Sequence, residues 1–198
     1  MPLGGLGDLG ANIVPTMPSP SVADLDGTTG LEILVPGYDG ILHVFRPDGT
    51  IFWQYPFSTV ATPYTGASEP LVADLNGDGV PEVIFTTFSS GSPGVPDTTP
   101  NLIILSNTGT LLQKVPLSGR GSMAPPTIAD IDGDGRPEII ISLKDAVGGA
   151  LGGVQIWDVP GASTNCLLWD TGRGGLLRQG SYRQGVSRPA APKNLRFI

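Results

Sequence analysis

The sequence predicts an all-β fold assembled from recurring four-stranded units. Three observations carry that prediction: a phrase that repeats three times without gaps, strand-length apolar runs around it, and a composition dominated by turn formers. The 198 residues include 29 glycines and 20 prolines, and only 15% are charged. Such a chain turns often and builds few amphipathic helices. It shows no helical heptads and no apolar run near the ~18 residues of a membrane span.

The repeated phrases are VADLDGTTGLEILV from Val22, VADLNGDGVPEVIF from Val72 and IADIDGDGRPEIII from Ile128. Their first aspartates, Asp24, Asp74 and Asp130, lie 50 and 56 residues apart. Each phrase is approached through a Pro-containing stretch: TMPSPSVADL, ASEPLVADL and SMAPPTIADI. Each is followed by two more apolar runs, in ILHVFRPDGTIFWQY, NLIILSNTGTLLQKV and GGVQIWDVPGASTNCLLW. One unit therefore reads as four short strands. The first enters an acidic turn, the second leaves it, and the third and fourth form a hairpin, around DG or TG in the first two units. The link between the second and third strands is tight in the first unit (YDG) and long in the others (SSGSPGVPDTTP and KDAVGGALGG), as surface loops vary.

Four-strand units recurring at this period are the pattern of β-propeller blades. Leucine-rich repeats are shorter, and no helix accompanies these strands. An irregular sandwich would explain short strands but not the same turn at the same place three times. The expected organisation is an N-terminal segment over 1–19, blades over 20–70, 71–126 and 127–170, and a closing segment and tail over 171–198. Three blades do not close a ring. Two sheet edges are then expected to be covered by further blades, as in a fragment of a larger chain, or by another chain, as in a homo-oligomer or a filament built by strand exchange.

The acidic turn carries the chemistry. Counted from its first aspartate, positions 1, 3, 5 and 9 are Asp74, Asn76, Asp78 and Glu82 in the second unit and Asp130, Asp132, Asp134 and Glu138 in the third. Alternate oxygens in a tight turn can converge while the glycines at positions 4 and 6 supply the backbone freedom. Several hard carboxylate oxygens in a flexible loop suit Ca²⁺, with the backbone carbonyl at position 7 (Gly30, Val80, Arg136) as a further ligand. Ten of the 18 acids lie in the three phrases, so these turns would repel themselves without a cation. Ordinary Asp–Gly turn chemistry is the simpler alternative. An EF-hand is excluded, because position 12 is Val35, Phe85 or Ile141 and the runs leaving the turn are β-branched and aromatic, hence strand. The first turn offers Asp24, Asp26 and Glu32 but has Thr28 at position 5. Two well-formed Ca²⁺ sites and a third, weaker one are expected.

These phrases resemble the FG-GAP/VCBS repeats of integrin-α-type β-propellers over residues 20–170. The resemblance implies calcium at Asp74, Asn76, Asp78 and at Asp130, Asp132, Asp134, with Asp24 and Asp26 by extension. It departs in lacking a clear FG…GAP sequence, for which TPYTGASEP and LSGRGSMAPP are faint echoes. Glutamate also stands at position 9, where integrin loops often place aspartate.

Charge and scarcity bound the partners. Residues 1–170 hold all 18 acids and five basic residues, whereas 171–198 hold six basic residues and no acid. A net −7 chain argues against nucleic acid; the basic tail is either solvated or docked on an acidic surface. The opening MPLGGLGDLGANIVP lacks the basic start and apolar core of a secretory leader. Cys166 is the one cysteine, so the chain can form neither an internal disulfide nor a zinc cluster of cysteines. His43, the one histidine, sits on ILHVF opposite Leu42 and Val44, and no nucleophile elbow or HExxH motif exists. Trp53, Trp157 and Trp169 fall near blade ends and are expected between blades rather than as sugar platforms. The expected function is non-catalytic: a calcium-stabilised scaffold for adhesion or assembly, outside the cell or on its surface, with a carbohydrate ligand left open. The alternative is the propeller part of a secreted polysaccharide-degrading lyase or hydrolase, since fold alone does not choose between them.

Overall fold

The alternation ILHVF in the first unit contrasts with the unbroken apolar runs EVIF and NLIIL in the second. A strand with one wet face alternates, and a strand covered on both faces does not. The computed structural model describes residues 18–58, 65–89, 99–144, 152–159, 166–169 and 172, and among them it is all-β and has no helix. Most of the long second-to-third-strand loops, residues 1–17 and nearly all of 171–198 lie outside the described residues.

The first sheet runs β1 (Ser21–Ala23), β2 (Glu32–Pro36), β3 (Ile41–Phe45) and β4 (Ile51–Pro56), in chain order and antiparallel. Its β3–β4 hairpin turns at Asp48–Gly49, where Gly49 takes a left-handed φ of 84°, as the DG dipeptide predicts. The second sheet contains β6 (Leu71–Asp74), β7 (Glu82–Ser89), β8 (Asn101–Leu105) and β9 (Leu111–Pro116), again antiparallel in chain order. The third contains β10 (Thr127–Ala129), β11 (Glu138–Leu143) and β12 (Gly153–Asp158).

Two strands join a different sheet from the one their place in the sequence suggests. β5 (Thr65–Ala67), at the end of the first repeat, pairs with the last three residues of β7. β13 (Cys166–Trp169), expected as the fourth strand of the third unit, pairs instead with β6, Cys166 opposite Asp74 and Leu167 opposite Ala73. The third sheet thus has three described strands rather than four, and the second is lengthened at its first edge. The physical reason lies in β6, all four residues of which are buried. A buried edge would strand its N–H and C=O groups, each of which costs free energy when unpaired, and β13 supplies partners.

The sheets pack in series through one apolar cluster that includes Leu34 and Val44 from the first, Phe85 and Ile103 from the second, and Ile139 and Ile141 from the third. Phe85 receives Tyr55 and Phe57 edge-on, at ring-centroid distances of 6.5 and 6.0 Å. The indole Nε1–H of Trp53 donates to the carbonyl of Asn107 in the β8–β9 turn at 2.8 Å, and the Asn107 amide donates to the carbonyl of Leu25 at 3.0 Å. Gly109 completes this contact, since a Cβ there would press on the Trp53 ring. On the far side of the second sheet, Thr86 Oγ1 donates to the carbonyl of Ser122, and Gln155 Nε2 donates to Ser118 Oγ at 3.4 Å. Trp53 and Trp157 pack against the common core; the Trp169 side chain lies outside the described residues.

Candidate metal sites in the acidic turns

The three turns share one hydrogen-bonded frame. In each, the first aspartate accepts a bond from the N–H of the glycine three residues on: Gly27, Gly77 and Gly133, each at 2.7 Å. Those glycines have φ of 74°, 75° and 81°, a region that side chains with Cβ avoid. In each, the residue at position 3 accepts from the N–H two residues on, Asp26 from Thr28, Asn76 from Asp78 and Asp132 from Asp134. In the second and third turns, position 5 repeats the pattern, Asp78 accepting from Val80 and Asp134 from Arg136 at 2.8 Å. The first turn, with Thr28 there, instead uses Gly30 at φ 124°, packed on the Pro47 ring.

The glutamate at position 9 closes each turn. Glu32, Glu82 and Glu138 begin β2, β7 and β11 and are 1%, 6% and 4% exposed. One oxygen of each accepts the N–H of position 2: Leu25 at 2.8 Å, Leu75 at 2.7 Å and Ile131 at 2.8 Å. Glu32 and Glu138 lie deeper than the aspartates around them, and in the second turn Asp74 is buried alongside Glu82. The sequence signal for this was a charged residue opening a buried strand, opposite Ala23, Ala73 and Ala129 in the register. A carboxylate is retained at such a position when it has bonds to make.

Carboxylate oxygens gather most closely in the first and third turns. Asp24, Asp26 and Glu32 form one group, and Asp130, Asp132 and Glu138 another, with one oxygen from each lying within 4.8 Å of the others. In the first turn, expected from Thr28 to be the weaker, the group forms without position 5. In the second turn, Asn76 stands where the others have aspartate. Its Nδ2 donates to Asp78 Oδ2 at 3.1 Å and to Glu82 Oε1 at 3.3 Å, so amide hydrogens lie between the two acids. Asp74 there accepts from three N–H groups, those of Gly77, Asp78 and Gly79.

Electrostatics follow from the placement. Burial, reinforced by Asp26 and Asp24, raises the pKa of Glu32 above the ordinary carboxylate value, and burial with Asp74 and Asp78 does the same for Glu82. Hydrogen bonds from the Thr28 side chain and N–H lower that of Asp26. Hard oxygen donors, in mutual repulsion and partly buried, are the donor chemistry of Ca²⁺ or a similar divalent cation. The residues present fit such an ion in the first and third turns, while in the second the Asn76 amide stands between Asp78 and Glu82.

Away from the turns, His43 Nε2 meets Asp39 Oδ2 at 2.8 Å, while the Gln54 amide reaches Nδ1 at 2.7 Å. His43 faces away from Leu42 and Val44, as strand alternation predicts.

Fold and turns together define the class: a tandem all-β sheet repeat with carboxylate-rich turns between the first two strands of each unit. No protein-family model and no curated protein matches the sequence. Among solved structures, the chain is similar to the biofilm matrix protein Bap1 of V. cholerae, at 19% identity and a TM-score of 0.38. The match covers 73% of this chain and 27% of that one, and at that score it supports neither a shared fold nor a shared function.

Proposed function

We propose that this chain is a non-catalytic scaffold of β-propeller blades, held in shape by divalent cations, and that it works outside the cell or on its surface in adhesion or assembly. The observation that carries the reading is the turn of the first and third units, in which a buried glutamate and two neighbouring aspartates share one small volume. Asp24, Asp26 and Glu32 would hold one Ca²⁺ and Asp130, Asp132 and Glu138 another, with Asp134 and the position-7 carbonyls of Gly30 and Arg136 as further oxygens. Asp74, Asn76, Asp78, Val80 and Glu82 would make the weaker site. A bound ion supplies positive charge where carboxylates otherwise repel. The chain's own part is to fix each aspartate by backbone N–H bonds and to anchor each glutamate at the head of a strand. Extracellular calcium is plentiful enough to fill sites of modest affinity, whereas cytosolic calcium is not.

The test is thermal unfolding of the whole chain in calcium and in chelator. A ligand that binds only the native state adds about 2.7 kcal/mol of stability at a hundredfold excess over Kd. Calcium should raise the Tm, and Asp132→Ala should remove the part due to the third turn while leaving the chelated Tm nearly unchanged. Identical melting of the parent protein in both conditions would refute the reading.

A further inference from the structure

The repeat lets each strand position be compared across three sheets, and the comparison identifies two uncovered faces. Leu34, Ile84 and Ile140 are equivalent, and the register places Val44, Ile104 and Ile156 beside them. One step along, Leu42, Leu102 and Val154 are equivalent in the same way. The first two members of each set are buried: Leu42 and Val44 against the second sheet, Leu102 and Ile104 on the side toward the third. The third members are not, for Val154 is 63% and Ile156 53% exposed. The opposite faces mirror this. Phe85 and Ile103 are fully buried, as are Ile139 and Ile141, but the equivalent Ile33, Val35, His43 and Phe45 of the first sheet are only half-buried. The series of sheet-on-sheet interfaces therefore stops with one half of an interface at each end.

We propose that a second copy of this chain continues the series, docking its first sheet (Ile33, Val35 and Phe45) on the third sheet (Ile140, Val154 and Ile156) of its neighbour. The surfaces are the two sides of an interface already made twice within the chain, which is what selects a second copy as occupant. His43, opposite Val35 in the register and tied to Asp39 and Gln54, sets one polar group within the docking face of the first sheet. The contact joins two different patches, so it is heterologous: it closes a ring where the rotation between copies closes, and otherwise leaves a free face of each kind at the ends. To the sequence expectation that open edges seek partners it adds an uncovered face at each end. The proposal rests on repeat geometry and not on cation binding, so it and the calcium reading can fail separately.

Sedimentation of the full chain across a concentration series tests it, in calcium and again in chelator. The parent protein should show a weight-average mass rising above the 20.5 kDa of one chain. Ile156→Glu and Val35→Glu should each sediment as monomers. An equimolar mixture of the two should form a dimer, because each variant keeps the face the other has lost. Circular dichroism and melting establish that the variants are folded, and Val154→Glu and Phe45→Glu replace either one that is not. A parent protein that stays monomeric throughout overturns the proposal. So does a Val35→Glu variant that dimerises on its own while Ile156→Glu does not, since that pattern means like faces pair. A mixture of folded variants that remains monomeric overturns it as well.

Discussion

The second repeat and its two neighbours use the same phrase under different conditions. In the second, β7 and β8 are buried along their whole length; in the first, β2 and β3 alternate between buried and half-buried. The turns differ in parallel. The outer two gather three carboxylates, while the middle one puts the Asn76 amide between Asp78 and Glu82. The contrast teaches that a repeat sets strand and turn geometry, whereas burial is set by the sheets on either side. An amide hydrogen can also do locally, and more weakly, what a cation would do in the neighbouring turns.

The largest expected effect breaks the packing side of this contrast. Phe85→Ala in the sealed sheet should cost about 3–5 kcal/mol, as large-to-small changes in a filled core do. Val35→Ala, at the equivalent position on the open face of the first sheet, should cost under about 1 kcal/mol. Denaturant unfolding of both variants in chelator measures the difference, and equal losses would mean that the two faces are equally covered. Next comes the turn. Asn76→Asp exchanges amide hydrogens for a fourth carboxylate and should tighten calcium binding at the second turn about tenfold, or ~1.4 kcal/mol. Calorimetric titration reads this directly, and an unchanged affinity would show that the amide already serves as a ligand.

The smallest effect concerns protons. With their pKa values raised on folding, Glu32 and Glu82 bind protons more tightly in the native state than in the unfolded one. In chelator these groups should therefore make the protein more stable as pH falls from above their folded pKa toward their ordinary value of 4.5. Glu82→Gln should flatten that dependence, measured by Tm against pH. Asp26 works the other way: with its pKa lowered, its contribution is present above 3.8 and lost as pH falls through the folded value.

Much of the local structure was legible because it depends on neighbouring residues. The DG and TG hairpins, the strand after each acidic turn and the outward position of His43 all follow from spacings of a few residues. The glutamates illustrate partial legibility: position 9 reads as an acid in a departure from the aspartate of integrin loops, but its anchoring to the position-2 N–H needs the register of two strands to be seen. What the sequence did not show is long-range. Nothing in CLLW distinguishes pairing with β12 from pairing with β6, because the choice is made by the buried edge of β6 rather than by the strand itself. The same holds for TGA at Thr65–Ala67, which extends the second sheet from within the first repeat. Val154 and Ile156 read as core residues from their apolar character, and they lie at the surface because no described sheet packs beyond them.

The seating of β13 on β6 also bears on how the molecule is made. Cys166 meets Asp74 across 92 residues of chain, a separation that makes loop closure slow relative to the hairpins around it. Repeat proteins usually consolidate unit by unit, each stabilised as its neighbour arrives. Here the central unit must wait for a strand that leaves the ribosome after the third acidic turn. A nascent chain halted before Cys166 would carry three hairpin-rich sheets, with the edge of β6 held open until β13 arrives to seal it.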